Sequence, residues 1–371
     1  EQSTASLNRQ QSDLLKVSQQ IASGRRVVNP SDDPQAASRA VGVDQAKAVT
    51  EQYTDARTSA RNSLSQTESI LNSVSDAVTS AKTLLIQASN DTLSDVDRQS
   101  IASELKGVYE TMLGQANATD GNGRYLFGGY KDNAPPFVKD ANGNVQYQGD
   151  SNSREQRVDA SRLMAVADNG ETIFKSVPSG AGYVAEAKRE DGSLNQGNVT
   201  FVGPQVRDVS DPNYGEDFRI TFVSDNEFNI ETFDGTDWNA VQTNVAYTGD
   251  QGDSAQQVSY AGVTLTLQGA PVTGDSILAA QAGSEQREPD LFKTMEEAIR
   301  VLENPAETDA QKADLRNTLN TSMRDLDNAL DNVLTVRASA GARLNELDVV
   351  DAVSSNRMLN YEQTLSDLVD L

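Results

Sequence analysis

The sequence predicts an α+β chain: a long antiparallel helical bundle or coiled-coil rod built from both chain ends, with an inserted mainly-β domain. Three observations predict it. Near both ends apolar residues recur every seven positions, the mark of helices that wind around one another. Between about 131 and 285, Gly, Asn, Asp, Thr and aromatics take over and the pattern alternates. With 37% hydrophobic and 5% aromatic residues in 371, long helices sharing narrow seams suit the chain better than one thick core.

The first helical stretch carries Leu7, Leu14 and Ile21 at seven-residue spacing. It runs into "QQIASGRRVVNPSDDPQAASRAV" (19–41), where the pattern stops at Ser23–Gly24, breaks over Asn29–Pro30 and restarts after Asp32–Asp33–Pro34. Asp32 or Asp33 is placed to cap the next helix, with Pro34 in its first turn, where a missing N–H costs nothing. That helix is expected to reach about Asn90, roughly 80 Å at about 1.5 Å per residue. Its ladder is Tyr53, Ala60, Thr67, Val74, Ala81 and Ala88, with Leu64, Ile70, Leu71, Val78, Leu84 and Leu85 beside it. Ser94 and Asp97 resemble a capping box opening a third helix to about Asn117, folded back antiparallel across the short connection. Thr308 and Gln311 fit the same box for the last helix, whose ladder is Leu319, Leu326, Val333, Ala340, Leu347, Ser354, Tyr361 and Leu368.

Inside the insertion, "FRITF" (218–222) and "FNIETF" (228–233) alternate across a polar turn, as a hairpin does. "VTLTL" (263–267) is a further strand, and Asn142–Gly143 signals a turn in an earlier hairpin. Residues 181–285 carry a net charge of −12, half the chain's −24, and 10 of its 20 aromatics. This module is expected to have a small core of its own.

Composition also excludes. A net charge of −24 argues against nucleic acid or anionic membrane as partner, since both need a basic footprint. The chain has no Cys and no His, which removes disulfides, thiol chemistry, His/Cys zinc sites and Ser-His-Asp triads. No apolar run is long enough to span a bilayer, and no cleavable signal peptide is visible. The glycine-rich "TDGNGRYLFGGY" (119–130) lacks the spacing and strand-turn-helix context of a dinucleotide site and reads as a turn between helical and β regions. Asp32–Asp33, Asp95/Asp97 and Asp234/Asp237 do not fit a twelve-residue calcium loop, and caps and turns account for them. The residues therefore predict no catalytic, metal or cofactor site.

The stretch 19–41 resembles the N-terminal signature of the bacterial flagellin family, in which a Ser-Gly-basic-hydrophobic run precedes an Asp-Asp pair and the first long helix. "DNVLTVRASAGARLNELD" (331–348) is similar to the matching C-terminal helix, and "TDGNGRYLFGGYKDNAPPF" (119–137) to the family's hook-filament junction members. The resemblance covers roughly 1–180 and 286–371. It implies that residues 1–33 end an inner tube-forming region and supply a connector (Ser23, Gly24, Arg25, Asn29, Asp32, Asp33, Pro34). Residues 34–130 with 286–371 would form a discontinuous helical rod domain, its C-terminal end also entering the terminal region. The β insertion is then 131–285, as one domain or as two divided near 180. The helix-packing seam is expected to comprise Leu7, Leu14, Ile21, Tyr53, Ala60, Val74, Leu319, Leu326, Val333 and Leu347.

By the same resemblance, copies of the chain would form a ring at the junction between hook and filament, transmitting torque without catalysis. Hook-associated protein 1 would lie below it and flagellin above, with no nucleic acid and no membrane insertion. It would reach the outside of the cell unfolded through the flagellar type III pathway, with a cytoplasmic export chaperone. Relative to the family the chain lacks its first residues and last helix, and such a piece is expected to polymerise poorly. Two alternatives stay open: a filament-forming flagellin, and an adhesin or glycan-binding module using Trp238, Tyr214 and Tyr247.

Overall fold

Long helices at both chain ends flank, in sequence, a mainly-β middle in the computed structural model, which describes residues 2–371. In chain order the first elements are α1 (Gln2–Ser23), α2 (Pro34–Ala88) and α3 (Asp95–Ala116), then strands β1 (Phe137–Lys139) and β2 (Val145–Tyr147). Next come β3 (Arg154–Asp159), β4 (Arg162–Ala167) and the short helix α4 (Gly170–Phe174). The module that follows holds β5 (Tyr183–Ala187), β6 (Thr200–Val206), β7 (Phe218–Phe222), β8 (Glu227–Phe233), β9 (Trp238–Ala246), β10 (Gln256–Tyr260), β11 (Val263–Gln268) and β12 (Ser276–Gln281). Helices α5 (Leu291–Glu303) and α6 (Asp309–Val369) complete the chain. Two compact units result: one from residues up to Ser65, Glu155–Val166 and Ala340–Leu371, the other from Gln66–Arg154 and Ala167–Ser339.

Cap chemistry sets the helix boundaries. Asp33 Oδ1 accepts from Ala36 N at 3.0 Å, so Asp33 caps α2 and Pro34 is its first helical residue. Ser94 and Asp97 close a reciprocal box at the start of α3, and Thr308 and Gln311 do so before α6. The third helix does return antiparallel: Gln66 Nε2 on α2 donates to Thr119 O, 2.8 Å away, just beyond the end of α3.

In the first unit, α2 and α6 pair antiparallel, since Lys47–Glu362, Arg57–Asp351 and Arg61–Asp348 run in opposite senses along the two helices. The hairpin β3–β4 lays Val158, Met164 and Val166 against Ala60, Leu64, Ala340 and Leu347. Helix α1 contributes nothing to this core, having no buried residue.

In the second unit, α3 and α5 run antiparallel, with Tyr109 edge-on to Phe292 at 5.9 Å and Asp95 accepting from Ala306 N. Phe137, Phe174 and Phe292 meet at 5.1–5.5 Å between ring centroids, so the β1–β2 hairpin is pinned to the helices by aromatic contact. The glycine-rich stretch does more than turn the chain. Leu126 and Phe127 are fully buried, and a Cβ at Gly129 (φ +68°) would fall 1.9 Å from Asp150 Oδ1.

The module between 183 and 281 has a five-stranded antiparallel sheet, order β5-β12-β7-β8-β9, and a three-stranded sheet, β10-β11-β6. Both send their apolar faces into one core, including Phe218, Ile220, Phe222, Phe228, Phe201, Leu265 and Ile277. It is tied to α6 within the same unit: buried Asn317 donates to Val199 O and accepts from Phe201 N. Arg287 spans Glu186 and Asp325, so removing either carboxylate would leave a buried charge underpaired.

Candidate assembly site

The break between α1 and α2 is built by residues with separate tasks. Gly24 takes φ +70°, a left-handed conformation that ends α1 without a Cβ penalty. Residues 25–27 then lie against the end of α6: Arg26 N and Val27 N both donate to Val369 O, at 2.5 and 3.1 Å, and an Arg26 guanidinium N–H reaches Leu368 O at 2.8 Å. Those carbonyls have no partner inside their own helix, and a cation at a helix C-terminus is also favoured by the dipole. Asn29–Pro30 are exposed in the following turn, closed by Asp32 Oδ2 accepting from Val28 N and Asn29 N.

The two aspartates thus divide the work, Asp32 closing the turn and Asp33 capping α2. The Asn29 N–H, helped by Lys16 (3.2 Å) and Val28, holds the Asp32 carboxyl below its ordinary value despite some desolvation. The Ala36 N–H and Arg26 do the same for Asp33. Ser23 and Arg25 are exposed; Ser23 Oγ accepts from Arg25 N, and the Arg25 backbone pairs with that of Asp370 in an isolated antiparallel β-bridge.

Of the seam residues, the structure places Ala60, Val74, Leu319, Leu326, Val333 and Leu347 in buried positions and Tyr53 in a half-buried one. Leu7, Leu14 and Ile21 are different: they stand 62%, 70% and 70% exposed on α1. With Val17 they fall on one side of the helix at its 3.6-residue period, an apolar stripe that none of the described residues covers.

Residues 1–132 match the bacterial flagellin N-terminal helical region. Flagellar hook-associated protein 3 of Escherichia coli K12 is 33% identical over the whole chain and 86% of its own length, and that of Salmonella typhimurium 31% over the same shares. The chain belongs to the flagellar hook-associated protein 3 family. The crystal structure of FlgL from Xanthomonas campestris, 29% identical, superposes with a TM-score of 0.71 over 87% of this chain and 99% of that one. These relatives are structural flagellar proteins.

In this member of the family the remaining candidates resolve into structural roles. Tyr247 is 2% exposed and packs on Phe222 and Phe228, so it offers no ring to a sugar. Trp238 is stacked on Phe233 and under the Arg219 guanidinium at 4.3 Å, and Tyr214 leans on Tyr183. Asp234 accepts from Thr236 N and Asp237 N in a turn, and Asp97 accepts from Ser94 N in its box. Among the described residues no cluster of acids is disposed to hold a metal ion, and no helix is long and apolar enough to cross a membrane.

Sequence reasoning missed the polar lock of the first unit. Arg57, 1% exposed, donates to Asp351 (2.6 Å), Val158 O (2.9 Å) and Thr54, while Arg61 bridges Asp348 and Asp351. The hydrogen bonds that Arg61 donates to Asp348 and Asp351 raise its pKa above the ordinary value. The signal was present as Arg at i and i+4 facing Asp at i and i+3, a spacing that puts each pair on one helix face.

Proposed function

We propose that this chain is a non-catalytic structural piece of the bacterial flagellum, seated as a ring of its own copies at the junction between hook and filament and passing torque from one to the other. Family membership supports the flagellar setting. The observation that carries the mechanical reading is α1, a 22-residue helix with an apolar stripe and no buried residue. Such a face is stable in water only at a cost that association removes, so it asks for helices of neighbouring subunits.

On this reading the stripe Leu7, Leu14 and Ile21 belongs to the inner layer of the tube. The connector from Ser23 to Asp33 joins it to the helical domain of 34–130 and 286–371. A broken helix lets the two layers take different angles, where a continuous one would tie them rigidly. The partners are further copies, hook-associated protein 1 and flagellin, with a cytoplasmic chaperone before the chain is exported unfolded through the flagellar type III route. The acidic β domain of 131–285 faces outward.

Immunogold electron microscopy on flagellated cells, with antibody against residues 181–285, tests this. A single band of label where hook meets filament is expected. Label along the whole filament would assign the chain to the filament itself, and label away from flagella would end the proposal.

A further inference from the structure

Glu296 on α5 stands where three elements meet. Its Oε2 accepts from Tyr109 Oη of α3 at 3.2 Å and from Val145 N of β2 at 3.3 Å. Both donors are neutral, and among the described residues no base forms an ion pair with Glu296. Asp140 of the hairpin turn adds a like charge that disfavours the ionised form of Glu296. The hairpin's Lys139 is already committed to Glu110 of α3 and lies over the Tyr109 ring at 5.5 Å. From its own helix and cap it meets Asp290, Lys293 and Glu297, the last paired with Arg300. Glu171 and Lys175 face it across an open cavity of about 1010 Å³. The surroundings are therefore net acidic, and an ionised Glu296 has no cation to itself.

We propose that Glu296 is a pH-sensitive latch that clamps the β1–β2 hairpin onto α3 and α5 while its carboxyl is neutral, and loosens the hairpin when it ionises. As a neutral acid, its carbonyl oxygen has two lone pairs for the two donors and its O–H can turn to the cavity. As an anion it keeps the acceptors but must either stay half-buried beside Asp290 and Asp140 or draw water in, which parts the hairpin from the helices. Burial is the largest influence and raises the carboxyl to about 7, against the opposing pull of Val145 N and Tyr109. The sign follows: a raised acid contributes its full stability below its ordinary value of 4.5 and loses it as pH rises through about 7.

The test is hydrogen exchange with mass spectrometry on the full chain at pH 6 and pH 8.5, as protection factors corrected for the intrinsic pH dependence. Peptides covering 137–147 are expected to lose about tenfold protection at the higher pH, given the ionisation midpoint. Peptides from the β module should change little. Glu296→Gln, which keeps an acceptor but cannot ionise, should show equal protection at both. Equal protection in the native chain, or a pH effect that survives Glu296→Gln, overturns the latch. Should Glu296→Gln fail to fold, Asp140→Asn decides. It keeps its turn acceptor for Asn142 N and Asn144 N, and losing its charge should lower the midpoint by roughly half a pH unit. An unmoved midpoint overturns the proposal.

Discussion

In the β module Phe222 is 1% exposed and stacks edge-on against Phe228 and Tyr247, while on α1 Leu14 is 70% exposed and belongs to no core. Both side chains are apolar, and both lie at the period their element dictates: β7 alternates buried and half-buried, and α1 repeats every seven. The difference lies in what covers them. The module completes its burial within the chain, so its stability is a property of the single molecule. Helix α1 leaves its stripe bare, and on the proposed function the energy of that stripe is available for assembly. If so, folding and association are drawn from separate residues, and each should be removable without the other.

The largest effect should come from the module. Phe222→Ala deletes a ring that touches two other aromatics in a core with no solvent to fill the gap, and should cost about 3–5 kcal/mol. Urea unfolding followed through Trp238, the chain's one tryptophan and a residue of β9, two strands from β7 in the same sheet, reads it directly. A loss below about 1 kcal/mol would mean that the module repacks, and that its burial is less self-sufficient than the contrast with α1 requires.

Next in size is Arg57→Met in the first unit. The substitution keeps most of the volume but leaves Val158 O without its donor, while Asp351 retains Arg61. A loss of about 1–3 kcal/mol is expected, from one buried carbonyl left unmade and one charge pair removed. Hydrogen exchange should show the loss in peptides of β3–β4 and not in the β module.

How far all this was legible can be read from the same residues. The seven-residue ladders run mostly along buried positions of α2 and α6, and with the alternating middle they made the fold class readable. But the period names a face and never its partner: Leu326 is buried and Leu14 is bare, and nothing in their spacing separates them. β9 was invisible because nearly all of it is exposed, so it carries no alternation to detect. β3 and β4 were obscured by their arginines, which serve Ala160 O and Glu346 rather than marking a solvated loop. At the connector, Gly24 and Pro34 announce a break through backbone chemistry alone. Which aspartate closes the turn and which caps the helix depends on distances of an ångström or less, beyond what sequence order encodes.

The titrating groups sharpen the contrast in the opposite direction. Asp32 and Asp33 have depressed pKa values because the Asn29 and Ala36 N–H groups, with Lys16 and Arg26, favour their charged forms. Their contribution is therefore whole above the ordinary value of 3.8 and is lost as pH falls through the lower folded value. Glu296 behaves inversely and loosens as pH rises. Exchange measured from pH 6 down to pH 2.5 should show the amides of 28–36 losing protection while the 137–147 hairpin holds. Asp32→Asn should remove part of the connector's acid response. Simultaneous loss in both segments would mean global acid unfolding rather than a local event.

The smallest effect on stability, and the most telling, should be that of Leu14→Ala. A side chain 70% exposed leaves little transfer energy to lose, and alanine is the better helix former, so unfolding should change by no more than about 0.5 kcal/mol. If the stripe of Leu7, Leu14 and Ile21 is what neighbouring subunits cover, the same substitution should still deplete the protein from flagella isolated from cells that express the full-length variant. Quantitative mass spectrometry of those flagella against the unsubstituted chain reads the depletion. Loss of incorporation with unchanged unfolding would place the stripe's energy in assembly. A variant that unfolds normally and incorporates normally would show that α1 is exposed to no purpose, and the contrast with the β module would then reduce to one between a core and a bare helix.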